Sequence, residues 1–91
     1  MKIFKEFILN EQSIAEQVIY LPSKSEVLSI TKTTNGLALI VLTKYTGYDN
    51  EPSETHKFKI CATEEIFYSN TVKYIGSFES SLGIRHVIEV S

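Results

Sequence analysis

The stretch Asn35–Leu42 (NGLALIVL) decides the fold of this chain. Asn35 and Gly36 tolerate the positive φ angles of a type I′ turn, whose twist matches that of the strands it joins. The turn is flanked by Val27–Lys32 and by Leu37–Tyr45. The pattern therefore predicts a β-hairpin.

The second strand of this hairpin is apolar at every position from Leu37 to Leu42. It does not alternate polar with apolar residues, so protein should cover both of its faces. A buried helix shows the same pattern, but the β-branched residues, the turn and the short length favour a strand. The covers are a second sheet of the same chain or a symmetry-related subunit. Because the chain has only 91 residues, we predict a homo-oligomer, a dimer or higher.

Three later segments alternate as half-buried strands do. They are Thr55–Ala62, Thr71–Phe78 and Ile84–Val90. The residues expected to share a face are His56, Phe58 and Ile60 in the first segment, Val72, Tyr74, Gly76 and Phe78 in the second, and Ile84, His86, Ile88 and Val90 in the third.

The remaining segments complete a β-rich pattern. The N-terminus fits a helical stripe or a strand, and we favour the strand; Gln17–Leu21 forms another strand that ends at Pro22. Thr63–Asn70 is a mixed connection, in which one short helical turn is expected through Glu64, Glu65 and Ile66. The prediction is a single all-β domain, residues 1–91, mainly antiparallel, forming a small sandwich or barrel of six or seven short strands.

The composition narrows the class of protein. Hydrophobic residues make up 43% and charged residues 22%, as in globular domains. A net charge of -2 argues against duplex nucleic acid, although a local basic patch for a small anionic ligand remains open. No apolar run is long enough to span a membrane, and Met1–Leu9 is too short and charged for a signal peptide. The single cysteine, Cys61, fits a reducing, cytoplasmic compartment.

Several short elements follow one another in a characteristic order. They are Lys2-Ile3-Phe4-Lys5, Leu21-Pro22, Val27-Leu28-Ser29-Ile30, Asn35-Gly36, Tyr74-Ile75-Gly76-Ser77 and Arg85-His86-Val87. In this order the chain resembles a family of short, functionally uncharacterised proteins of tailed bacteriophages. The resemblance implies a phage protein with a β-rich fold that acts by binding in the host cytoplasm, and it implies no catalytic residues. Where the family has a glycine-rich turn, this chain has Ala62–Glu65.

The motifs of catalytic chemistry are missing from the sequence. His56 and His86 stand far apart without metal-ligand spacing, and no Gly-x-Ser-x-Gly or phosphate-binding glycine loop is present. Cys61 has no base near it in the sequence, which makes it a structural residue. We therefore predict no catalytic residue, no metal and no cofactor.

A basic and aromatic group stands around the loop after residue 44. If the two strands on either side of the loop pair, its cations and aromatic rings converge on one rim. Aromatic faces stack on bases and lysines bind phosphates, so a nucleotide-derived ligand suits this rim. The alternative is cross-strand packing of the tyrosines and a solvated edge for the lysines. The group consists of Lys44, Tyr45, Tyr48, His56, Lys57 and Lys59.

The histidines and the last strands offer further candidates for ligand binding. His56 and His86 are either satisfied core or rim residues or line one pocket together. Arg85 and Lys73, expected on the outward faces of the last two strands, either form a second anionic pocket or pair with Glu79 and Glu89.

The leading hypothesis is a non-enzymatic phage accessory protein that sequesters a small anionic, nucleotide-derived host immune signal. The alternative is an inhibitor that binds a host enzyme or defence protein through a strand edge or the 45–54 loop.

Overall fold

A computed structural model describes residues 1–45, 52–66 and 72–90, and these residues form seven strands and no helix. The described chain therefore has no helix that could cross a membrane. The all-β class and the strand count agree with the sequence-based prediction. The strands are β1 (Lys2–Leu9), β2 (Gln17–Pro22), β3 (Glu26–Thr33), β4 (Gly36–Lys44), β5 (Ser53–Ala62), β6 (Val72–Ser80) and β7 (Gly83–Val90).

The strands pair antiparallel in two sheets. Sheet 1 has the order β1-β4-β3 and sheet 2 the order β2-β5-β7-β6. The sheets do not close into a barrel; they pack as a sandwich, with the core between them. The fully buried side chains of that core include Leu37, Leu39 and Val41 from sheet 1 and Phe58 and Val87 from sheet 2.

The two sheets meet along β3 and β6. A Cβ atom placed on Gly76 of β6 would lie 3.0 Å from Cγ1 of Ile30 on β3. Only a glycine therefore lets the strands approach this closely without displacing a side chain. On the other side of the sandwich, β1 pairs only with β4 and β2 pairs only with β5 in the described chain.

The predicted β3–β4 hairpin is confirmed, but its turn is displaced by one residue. Thr33 pairs with Gly36, so the turn residues are Thr34 and Asn35. The positive φ of +120° falls on Gly36, and Asn35 does not have one, so the expected type I′ turn is wrong. The Thr33 hydroxyl fixes this arrangement: it accepts a hydrogen bond from the Asn35 N–H and donates one to the Gly36 carbonyl.

The β6–β7 hairpin uses the same turn. Ser80 pairs with Gly83, whose φ is +111°. The Ser80 hydroxyl accepts a hydrogen bond from the Leu82 N–H and donates one to the Gly83 carbonyl. A hydroxyl residue followed three positions later by glycine thus closes both hairpins.

A β-bulge divides the predicted face of β6. The register shifts between Tyr74 and Gly76, and an extra residue in a strand reverses the faces beyond it. Val72 and Tyr74 therefore lie on the outer face of sheet 2, whereas Gly76 and Phe78 face the core. The prediction that these four residues share a face is wrong for this reason.

The connection after β5 begins with a tight turn. The Glu65 N–H donates to the Ala62 carbonyl, and Glu64 has a φ of +71°. This is a β-turn with its third residue in the left-handed region, so the helical turn expected through Glu64, Glu65 and Ile66 does not form. A second turn, from Pro22 to Ser25, has Lys24 at the equivalent position with a φ of +64°.

Candidate functional site

The rim predicted around residues 44–59 does not form, because β4 and β5 do not pair. β4 lies between β1 and β3, whereas β5 lies between β2 and β7. The chain passes from one sheet to the other between residues 45 and 52. The pattern of two strands flanking a loop does not distinguish a hairpin from such a crossing.

The residues before the crossing stand apart from those after it. Lys44 is exposed on the outer face of sheet 1, opposite Lys2. Tyr45 is exposed, and its N–H donates to the Met1 carbonyl. The predicted ligand residue Tyr48 lies outside the described residues.

The two histidines lie on opposite faces of sheet 2, so the prediction of one shared pocket is wrong. His56 faces inward, where its Nδ1 donates to Glu89 Oε2 at 2.7 Å and its Nε2 lies 3.7 Å from Glu54 Oε2. The cavity of 430 Å³ beside it includes Glu26, Lys73 and Glu89 in its lining. Carboxylates dominate this inner site, which therefore disfavours an anionic ligand.

Arg85 and Lys73 do not form the second anionic pocket. The expectation that both face outward is wrong, because the register puts them on the inward side of sheet 2. Arg85 is paired with Phe78 and Lys73 with Glu89, at opposite ends of the β6–β7 ladder. Arg85 lines a separate cavity of 340 Å³ that also contains Ser80, Ser81 and Glu11. The predicted site residues are thus distributed over several surfaces.

The outer face of sheet 2 brings three of the predicted residues together. Lys57 and Lys59 share this face of β5 with Cys61, and Cys61 is directly opposite His86 of β7. A cavity of 290 Å³ opens on this face, and we call it the outer-face cavity. It is lined by Cys61, Ala62, Thr63, Glu64, Glu65, Val72, Tyr74, His86 and Ile88.

Two rings define one wall of the outer-face cavity. The ring centroids of Tyr74 and His86 are 6.1 Å apart and their planes are inclined by 47°. Nε2 of His86 forms a hydrogen bond of 2.9 Å with the Thr63 hydroxyl, which fixes the orientation of the imidazole. The floor is apolar and buried, formed by Cys61 and Ile88. The cavity therefore offers aromatic surface above an apolar base, as small-ligand sites commonly do.

An ion pair closes the rim next to these rings. Lys59 Nζ lies 2.8 Å from Glu65 Oε2. This hydrogen bond raises the pKa of Lys59 and, with the Ala62 N–H as a second donor, lowers the pKa of Glu65. The pair holds the turn that carries Glu64 and Glu65 against β5.

Cys61 lies opposite His86, but it does not have the properties of a nucleophile. Burial raises the pKa of its thiol, and the nearby Lys59 opposes this effect only in part. A thiol with a raised pKa stays protonated at neutral pH and reacts slowly. Cys61 therefore serves as floor of the cavity.

Sequence reasoning missed Tyr74 and Thr63 as members of this site. Only the register of β6 on β7 brings Tyr74 beside His86, and the turn after β5 brings Thr63 there. No three histidine, cysteine or carboxylate side chains of the described chain are grouped so that they could hold a metal ion. A comparison with known protein families, curated proteins and solved structures finds no match to this chain.

Proposed function

We propose that the protein binds a small nucleotide-derived ligand in the outer-face cavity and does not change it chemically. The observation that carries the proposal is the pair of rings, Tyr74 and His86, above the floor of Cys61 and Ile88. A nucleobase stacks on such a surface, because every base has a π-face. Lys57 and Lys59 lie on the same face of the sheet, where a phosphate can bind them.

The size and charge of the site limit how the ligand lies. A cavity of 290 Å³ takes one ring system, so the rest of the ligand extends over the sheet. Lys59 is already paired with Glu65, and Glu64 adds a further negative charge to the rim. The exposed Lys57 therefore makes the first contact with an anionic group, at the end of β5 away from Glu64.

The resemblance to phage proteins supports a biological role for such binding. In this role, the protein is a phage accessory protein that sequesters a nucleotide-based immune signal in the host cytoplasm. Simple sequestration needs affinity and no turnover, which agrees with a site whose cysteine is a protonated thiol.

The proposal predicts that calorimetry with cyclic dinucleotides and ADP-ribose-type nucleotides detects binding at micromolar ligand. Tyr74→Ala removes the stacking surface and should weaken this binding about 5- to 150-fold, the range for loss of one stacked base. Tyr20→Ala is the matched control: Tyr20 is 65% exposed on the same face, Tyr74 is 61% exposed, and Tyr20 does not line the cavity.

Three outcomes contradict this proposal. If no nucleotide of the panel binds, or if both tyrosine variants weaken binding equally, the outer-face cavity is not the site. Mass spectrometry of the released ligand tests the second half of the proposal. A ligand recovered in altered form would make the protein an enzyme.

A second candidate function is inhibition of a host protein by strand addition. The specific observation is the edge of β1, eight residues long, which pairs only with β4 in the described chain. An extended segment of a partner can form backbone hydrogen bonds along such an edge. Slower hydrogen exchange along β1 in a purified host complex would support this function, and unchanged exchange would contradict it.

A further inference from the structure

We propose that the outer face of sheet 1 binds a second copy of this chain. The surface, which we call the apolar face, consists of Phe4, Ile8, Ile40 and Leu42, around the buried Ala38. This proposal does not depend on the function proposed above, because the outer-face cavity lies on the other sheet.

The register of sheet 1 puts these four residues on one side. Phe4 is paired with Leu42 and Ile8 with Ala38, and paired residues of neighbouring strands point to the same face. The other side of β4 carries Leu37, Leu39 and Val41, which sheet 2 covers. Of the two covers that the apolar β4 strand requires, the described chain supplies one.

The exposure of the apolar face is high for a monomer. Phe4 is 69% and Ile8 is 47% exposed. Phe4 lies opposite Leu42, and the half-buried Ile40 and Leu42 of β4 lie beside the two exposed side chains. Neighbouring apolar side chains that are exposed in this way mark an interaction site.

The chain exposes more surface than a compact monomer of its mass, and the excess is close to the area that a dimer interface buries on each partner. The chain exposes 6367 Å², whereas a compact monomer of 10.3 kDa exposes about 5,400 Å². The excess is about 1,000 Å², and a standard interface removes about 800 Å² from each partner. The radius of gyration of 13.6 Å likewise exceeds the roughly 12 Å expected for this length. Burial of one face would remove the excess.

The charges around the apolar face favour a second copy over a strongly charged partner. Lys2 and Lys44 lie at one end of the face, opposite each other, and Glu26 lies beside Leu42. Glu6 lies within the face, opposite Ile40 and between Phe4 and Ile8. Two positive and two negative residues leave the face neutral, and a second copy of the chain presents the same neutral face.

Analytical ultracentrifugation of the whole chain tests the proposal. The wild-type protein should sediment as a dimer, twice the 10.3 kDa of the chain. Phe4→Glu replaces the most exposed side chain of the apolar face with a charge and should weaken dimerisation by about 30-fold or more, the effect of removing an interface hot spot. Tyr20→Glu is the control, because Tyr20 is 65% exposed on the outer face of sheet 2, and it should leave the dimer intact.

A second variant and two opposite outcomes complete the sedimentation experiment. Ile8→Glu should act as Phe4→Glu does, and circular dichroism should show that both variants remain folded. A wild-type chain that stays monomeric at submillimolar concentration overturns the proposal, as does a Phe4→Glu variant that dimerises like the wild type. A chain that stays monomeric and binds lipid vesicles or a host protein through its apolar face would likewise overturn it. Nucleotide affinity is measured separately. A variant that loses dimerisation but keeps its nucleotide affinity contradicts neither proposal.

Discussion

At the scale of single residues, two side chains hold backbone conformations that favour glycine. Glu64 and Lys24 each have a positive φ at the third position of a β-turn. For a residue with a Cβ atom, the left-handed region costs about 1–2 kcal/mol. A glycine at position 64 or 24 would adopt this conformation without that cost.

We expect Glu64→Gly to raise the free energy of unfolding by up to about 1 kcal/mol, because strain relief exceeds the greater chain entropy of glycine in the unfolded state. Lys24→Gly should act in the same direction. Urea denaturation measures both. Gly83→Ala is the converse control: the added Cβ meets no atom within 4 Å, so any loss of stability reports the positive φ alone. A destabilised Glu64→Gly variant would contradict the prediction.

The Lys59–Glu65 ion pair gives a dependence of stability on pH. The lowered pKa of Glu65 means that its contribution is complete above the usual value of 4.5 and is lost as the pH falls through the lowered pKa. The raised pKa of Lys59 means that its contribution is complete below 10.5 and is lost as the pH rises through the raised pKa. The pair therefore stabilises the fold across the neutral range.

Glu65→Gln should lower the free energy of unfolding at neutral pH by no more than about 1 kcal/mol, because both side chains are partly exposed. The difference from wild type should shrink in acid and in alkali, and high salt should reduce it. Urea denaturation at a series of pH values checks this. A difference that stays constant across the whole series would show that the pair does not cause it.

At the scale of elements, the close contact of β3 with β6 depends on a residue without a side chain, Gly76. Gly76→Ala would place a Cβ 3.0 Å from Ile30 Cγ1, so either the strands separate or Ile30 moves. We expect a loss of about 1–3 kcal/mol in the free energy of unfolding, the usual cost of overpacking. Thermal or urea denaturation measures it.

A double-mutant cycle isolates that contact. Ile30→Ala removes Cγ1 and should make the Gly76→Ala substitution markedly less costly than it is beside isoleucine. If the two substitutions simply add, the close approach of Gly76 and Ile30 does not limit the junction.

At the scale of the whole molecule, the two outer faces of the sandwich differ in chemistry. Sheet 1 presents the apolar face, which suits association, and sheet 2 presents the rings and lysines of the outer-face cavity, which suit a ligand. Because the core lies between them, a dimer formed through sheet 1 leaves both cavities open to solvent on its far sides. Such a dimer would bind two ligands at once.

Local chemistry determined much of this structure. The alternation of side chains is a property of each strand by itself, so the sequence predicted the all-β class, the β3–β4 hairpin and the two faces of β5 and β7. It also put Lys57, Lys59 and Cys61 on one face of β5. The doubly apolar β4 led to the expectation of two covers, one of which sheet 2 provides.

Only the tertiary structure decided which strands pair and in which register. β4 and β5 lie in different sheets, so the rim of Lys44 and His56 does not exist, and the bulge after Tyr74 turns that ring outward. The register of β5 on β7 then brings Cys61 and His86 together. The physical reason is that pairing depends on contacts between segments far apart in the chain, whereas a residue pattern reports only the face of its own strand.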